Sequence, residues 1–102
     1  IYLSENHKGI AYIYIENLKR GLSIKDSEVI KLYYKRIISL DFRTIENNDI
    51  KLAIEIRKYL YDIFKPHHKV LNLKINIILS LSCLFRINSY KLRNYLKNQT
   101  VK

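Results

Sequence analysis

The stretch DIKLAIEIRKYLYDIF, residues 49–64, reads as one amphipathic helix. Asp49 can accept an N–H bond at its start, and Ile50, Ala53, Ile56, Leu60 and Ile63 recur at the helical period on one face. Lys51, Glu55, Arg57, Lys58 and Asp62 occupy the outer face. Pro66 has no N–H and disfavours helix at Lys65, so a boundary or kink belongs there, with Pro66 suited to the first turn of the following helix.

Working outward, Asp26 can open an earlier helix in which Ile30, Tyr33, Ile37 and Leu40 form a stripe, and the polar cluster Asp41 to Asn48 breaks that period. Between Ile10 and Arg20 the apolar residues suit a helix stopped by Gly21, and also the alternation of a strand; the helix is adopted. Residues 1–9 read as a loop or the remnant of a preceding element. Downstream, Leu71, Ile75, Ile78, Ser82 and Phe85 make one row and Leu73, Ile77, Leu81 and Leu84 another. A helix apolar over most of its circumference is expected at the centre of the fold. Ser89 can cap a last short helix with Leu92, Tyr95 and Leu96 inward and Lys91, Arg93, Asn94, Lys97 and Asn98 outward. The expectation is an all-α, compact bundle of about five helices, forming a single domain over residues 1–102.

Composition narrows the function classes. A chain of 102 residues with 48% hydrophobic and 27% charged residues has the makings of one folded domain. Two glycines and one proline are too few for the tight turns of a β-sandwich, and the isolated Gly9 and Gly21 form no phosphate-binding loop. The one cysteine, Cys83, can make no internal disulfide or cysteine-based zinc site, and it reads as a buried thiol. The adjacent His67 and His68 point in different directions on a helix and have no second cluster, so no metal is expected. No carboxylate pair or nucleophile with a nearby base stands out, which leaves no catalytic residue, no cofactor and no small-molecule substrate. The most apolar run, Val70 to Phe85, is interrupted by polar residues and is shorter than the ~20 residues of a bilayer span. The first residues lack the basic, apolar and small-residue order of a secretory signal. With a single cysteine a reducing compartment is the default, so an intracellular location, cytoplasm or nucleus, is expected.

Charge gives the strongest functional signal. Nineteen Lys and Arg against nine Asp and Glu leave a net charge of +10, which points to a polyanionic partner. The cations cluster at Lys19 and Arg20, at Lys31, Lys35 and Arg36, at Lys65 to Lys69, and from Arg86 to Lys102. Cations that meet phosphates release counterions and give salt-sensitive contact with DNA. Arg86, Lys91, Arg93, Asn94 and Lys97, with Lys65 and Lys69, are the candidate nucleic-acid-binding residues. Ser82, Phe85, Ile87, Leu92 and Tyr95 also have the spacing of a helix-turn-helix with its recognition helix at 89–99, although Arg86 stands where such a motif normally carries glycine. The nine tyrosines could stack on bases, but most fall beside the core stripes.

Two segments bear a resemblance to a known family. Tyr14-Ile15-Glu16-Asn17-Leu18-Lys19-Arg20-Gly21 resembles the short helix that precedes the helical domain in one subunit type of the GINS replication complex. Leu60-Tyr61-Asp62-Ile63-Phe64, continued by Lys69-Val70, is similar to the signature of that family's long helix. The resemblance implies a non-catalytic DNA-replication scaffold subunit, docking other GINS chains, the MCM ring and a RecJ-like partner through packed helices. The alternatives are a helix-turn-helix DNA-binding protein of viral or mobile-element type and a protein-interaction bundle without nucleic acid.

Overall fold

The computed structural model describes residues 2–66, 68–87 and 89–99, with side chains from His7 onward. It contains five helices: α1 (Tyr2–Ile24), α2 (Ser27–Glu46), α3 (Ile50–Phe64), α4 (Lys69–Phe85) and α5 (Tyr90–Lys97). Among the described residues there is no strand, so the all-α bundle of five helices holds, and no helix is long and apolar enough to cross a membrane.

Side-chain caps set three of the helix starts where the sequence places them. Asp26 Oδ1 accepts from the N–H groups of Glu28 and Val29, Asp49 Oδ1 from Leu52, and Ser89 Oγ from Leu92 at 3.4 Å. The ends of α1, α2 and α4 share another device, a left-handed residue just beyond the helix: Lys25 (φ 55°), Asn48 (φ 65°) and Arg86 (φ 55°). In each case the next N–H reaches back to a carbonyl five residues earlier: Asp26 to Gly21, Asp49 to Thr44 and Ile87 to Ser82.

α2 is the central element, in contact with all four other helices. Ile30, Tyr34, Ile37, Ile38 and Phe42 are almost wholly buried along it, against Ile15 and Leu18 of α1, Ile56 and Phe64 of α3, Ile75 of α4 and Leu96 of α5. Tyr34 packs edge-on against Phe64 at 5.9 Å, and its hydroxyl donates to the Leu96 carbonyl at 2.6 Å.

Five expectations are corrected. Residues 2–9 are not a loop, because α1 runs from Tyr2 through Gly9. Gly21 does not stop α1 either. A Cβ there would lie 2.9 Å from Val29 Cγ1 and 3.2 Å from the Ile30 backbone nitrogen, so this glycine lets α2 approach closely and Lys25 takes the terminating role. α2 continues past Asp41 to Glu46 because Asp41, Phe42, Thr44 and Ile45 are all buried, tertiary packing overriding the polar composition. Finally, α4 is not central, and Pro66 lies in the turn before it. Of its first apolar row, Leu71, Ile75 and Ser82 are buried, Ile78 is partly so and Phe85 is exposed; Leu79, in neither row, joins the core, while the row Leu73, Ile77, Leu81 and Leu84 faces outward.

Candidate functional site

The central helix has two unequal sides. Its buried arc holds Ile30, Tyr34, Ile37 and Ile38, and on the opposite arc Lys35, Arg36, Ser39 and Arg43 line a cleft of about 280 Å³. Lys35, Ser39 and Arg43 follow at +4 and +4, so they rise along one side of α2. α1 supplies Ile10 and Tyr14 as an apolar wall, and α5 supplies Lys97. Four cations thus line one cleft, no acidic residue is among its described lining residues, and none of the four makes an ion pair among the described residues.

Arg36 is held in place. Its guanidinium lies 5.8 Å from the centre of the Tyr14 ring and 5.6 Å from that of Tyr33, and the two rings pack on each other at 6.0 Å. Stacking on aromatic faces restricts the long side chain and leaves its N–H fork available for a planar or tetrahedral oxyanion. Arg43 and Lys97 sit in the last turns of α2 and α5, where positive charge is favoured by the helix dipole.

The seven residues singled out from the sequence do not converge. Lys97 alone joins the cleft. Lys65 lies over the Tyr61 ring at 5.6 Å, and Lys69 begins α4 beside His68 and Lys74. Arg86 is exposed at the other end of α4, Lys91 is exposed on α5, and Asn94 is half-buried. Arg93 turns inward, its guanidinium 5.9 Å from the Phe42 ring and 4.0 Å from Glu46. Of the expected inward side chains of α5, Leu96 is buried and Leu92 partly so, but Tyr95 is 47% exposed. Lys74 lies over the Tyr95 ring, 5.9 Å from its centre. His68 packs against Phe64 at 5.8 Å, whereas His67 and Thr100 to Lys102 lie outside the described residues.

A second polar cluster sits inside the bundle. Asp41 is fully buried and neither carboxylate oxygen has a hydrogen-bond partner; Arg57 Nε and Ser82 Oγ are likewise unpartnered. Burial pushes the Asp41 carboxyl well above the usual carboxylate range, with the nearby Arg57 guanidinium opposing it in part. Cys83 is pushed up by burial and by the Asp41 charge, which makes it a poor thiolate. Arg57, Cys83 and Arg86 border an adjacent cavity of about 450 Å³. Among the described residues, no three of His, Cys, Asp and Glu come together closely enough to hold a metal ion. The sequence reading missed Asp41 as a buried group and Arg43 as a cleft residue; the +4, +4 spacing of Lys35, Ser39 and Arg43 was the available signal. No protein-family model, curated protein or solved structure matches this chain.

Proposed function

We propose that this chain is a non-catalytic scaffold of DNA metabolism whose cleft between α1, α2 and α5 grips the phosphate backbone of nucleic acid. The observation that carries this reading is the set Lys35, Arg36, Arg43 and Lys97, four cations around one cleft with no carboxylate among its described lining residues. Cations placed for solubility alone are ordinarily interspersed with acids. Here they converge from two helices, and Arg36 is stacked against two rings. Ser39 adds a neutral hydroxyl donor to the same wall. Phosphate contact through such groups is independent of base sequence, which suits a scaffold that follows DNA rather than one that selects a site. The role in replication draws on the GINS resemblance alone.

The test is fluorescence anisotropy on a random-sequence duplex across a salt series. Four phosphate contacts predict a slope of log K against log salt near −3.6, a loss of about 100-fold between ~50 and ~200 mM salt. Replacing Arg36 and Arg43 together with Ala should halve that slope. A flat curve, or a double variant with the parent's slope, would refute phosphate contact at this cleft.

One observation favours a second reading. Arg86 has φ 55° and Ser89 caps α5, so the connection between α4 and α5 has the left-handed turn that a helix-turn-helix places at its glycine position. Under that reading, Lys91→Ala with Asn94→Ala removes preference among duplex sequences, while under the cleft reading both substitutions leave the salt slope close to the parent's.

A further inference from the structure

One helix leaves a long apolar face uncovered. Val70, Leu73, Ile77, Leu81 and Leu84 run along α4, each 48–74% exposed, and Phe85 extends the row at 65%. Together they present on the order of 650 Å² of apolar surface, above the size of an ordinary monomer's patch and close to the ~800 Å² that each partner gives a standard interface. The row itself carries no charge. From Lys69 to Arg86 the only charged side chain between the two ends is Lys74, which is drawn aside to Gln99 Oε1 at 3.2 Å and to the Tyr95 ring.

The spacing of the row is symmetric about Ile77. Leu73 and Leu81 lie four residues to either side, Val70 and Leu84 seven. Steps of 3, 4, 4 and 3 average 3.5 residues, the repeat of a knobs-into-holes seam. We infer that α4 pairs with α4 of a second copy of this chain, antiparallel, about a two-fold axis passing beside Ile77. Val70 then meets Leu84 of the second copy, Leu73 meets Leu81, and Ile77 meets its own equivalent. An isologous contact requires each residue to return the contact it receives, and a palindromic row satisfies this without any further fitting. Antiparallel pairing also sets the two helix dipoles head to tail.

Charge makes a distinguishing demand. Each copy carries +10, and pairing brings Lys69 of one copy toward Arg86 of the other at the rim of the seam. Added salt screens this repulsion and strengthens apolar contact, so the dimer tightens over the salt range in which phosphate binding weakens. The pairing does not rest on the cleft, which is built from α1, α2 and α5; failure of either leaves the other standing.

The experiment is sedimentation equilibrium on the full chain at several concentrations and salt levels. The parent should show a monomer–dimer equilibrium that shifts toward dimer as salt rises. Ile77→Arg should weaken the dimer ~100-fold, because a guanidinium then meets its own copy in a desolvated seam. Its far-UV circular dichroism should match the parent's, since Ile77 is half-exposed within one chain. Register is read by cross-linking in a Cys83→Ser background. Ile77→Cys should form a disulfide-linked dimer, Val70→Cys alone should not, and a mixture of the Val70→Cys and Leu84→Cys proteins should. A monomer at every concentration, an assembly larger than a dimer, or a dimer indifferent to Ile77→Arg would overturn the inference. So would a Val70→Cys self-link that outpaces the Ile77→Cys link, which means a parallel seam.

Discussion

The two glycines of α1 should respond to alanine with opposite signs. Both lie in the helix with negative φ, so backbone strain does not separate them. Alanine in place of a helical glycine stabilises by ~1 kcal/mol, mainly by restricting the unfolded chain. At Gly9 that gain is unopposed, since an added Cβ has nothing within 4 Å. At Gly21 the same Cβ comes to 2.9 Å from Val29 Cγ1 and 3.2 Å from both Ile30 N and Ile30 Cγ1. Val29 is stiff about χ1, and the Ile30 nitrogen belongs to the first turn of α2, fixed by its bond to the Asp26 carbonyl at 3.0 Å. Neither can yield cheaply, so α1 and α2 must move apart at a cost of ~1–3 kcal/mol, as in other overpacked contacts. The net expectation is a gain of ~1 kcal/mol for Gly9→Ala and a loss of about 1 kcal/mol for Gly21→Ala. For a domain of this size each corresponds to ~4–8 °C in Tm. Thermal and urea unfolding of the two variants beside the parent decide the matter. A rise for both would mean that α1 and α2 do not meet at Gly21, and a fall for both would mean that α1 is not helical through Gly9.

Two further perturbations probe the polar groups in the core. Tyr34→Phe removes the hydroxyl that donates to the Leu96 carbonyl, and the expected loss is about 1–2 kcal/mol in urea unfolding, with faster amide exchange concentrated in α5; uniform acceleration across all helices would argue that the bond does not fasten α5. Asp41→Asn tests the buried carboxyl. Because the folded protein holds the Asp41 proton more tightly than the unfolded chain, the parent should lose stability as pH rises from the unfolded value near ~3.9 through the raised folded value. Asn cannot ionise, so the variant should be the more stable at neutral pH, with the gap closing as pH falls toward ~4; a gap constant across that range would exclude a burial cost at Asp41.

What could be read from the sequence follows from which interactions are local. The starts of α2, α3 and α5 were legible because Asp26, Asp49 and Ser89 bind N–H groups only two or three residues ahead. The face of α3 was legible because Ala53, Ile56, Leu60 and Ile63 repeat at the helical period and are buried together. Where space between helices decided the outcome, residue type misled. Gly21 looked like a helix stop because glycine often takes the left-handed position, yet its work is to admit Val29 and Ile30, and Lys25 turns the chain instead. Periodicity runs the α2 stripe through Tyr33, but the fully buried tyrosine is Tyr34, whose hydroxyl finds its acceptor on a helix distant in sequence. In α1, Ile13 is 57% exposed while Ala11, Ile15 and Leu18 face the core. Periodicity fixed the helix but left its rotation open, because an almost equally apolar neighbour was available at each step.

The cationic cleft was harder to foresee for a geometric reason. Linear density drew attention to the basic run from Arg86 onward, but successive residues on a helix diverge by about a quarter of a turn, so a dense run is scattered as soon as it folds. Arg86, Lys91, Arg93 and Lys97 end at a turn, on an exposed face, over Phe42 and in the cleft respectively. Convergence requires the opposite pattern, cations separated by whole turns. Lys35 and Arg43 meet that condition on α2, with Ser39 between them, and Arg36 is brought to the same wall by its contact with Tyr14 on α1. Lys97 arrives only because Leu96 is locked into the core beside Tyr34. The same bond that anchors α5 therefore positions one of the four cations, so Tyr34→Phe should lower the salt slope of nucleic-acid binding as well as stability, although it removes no charge.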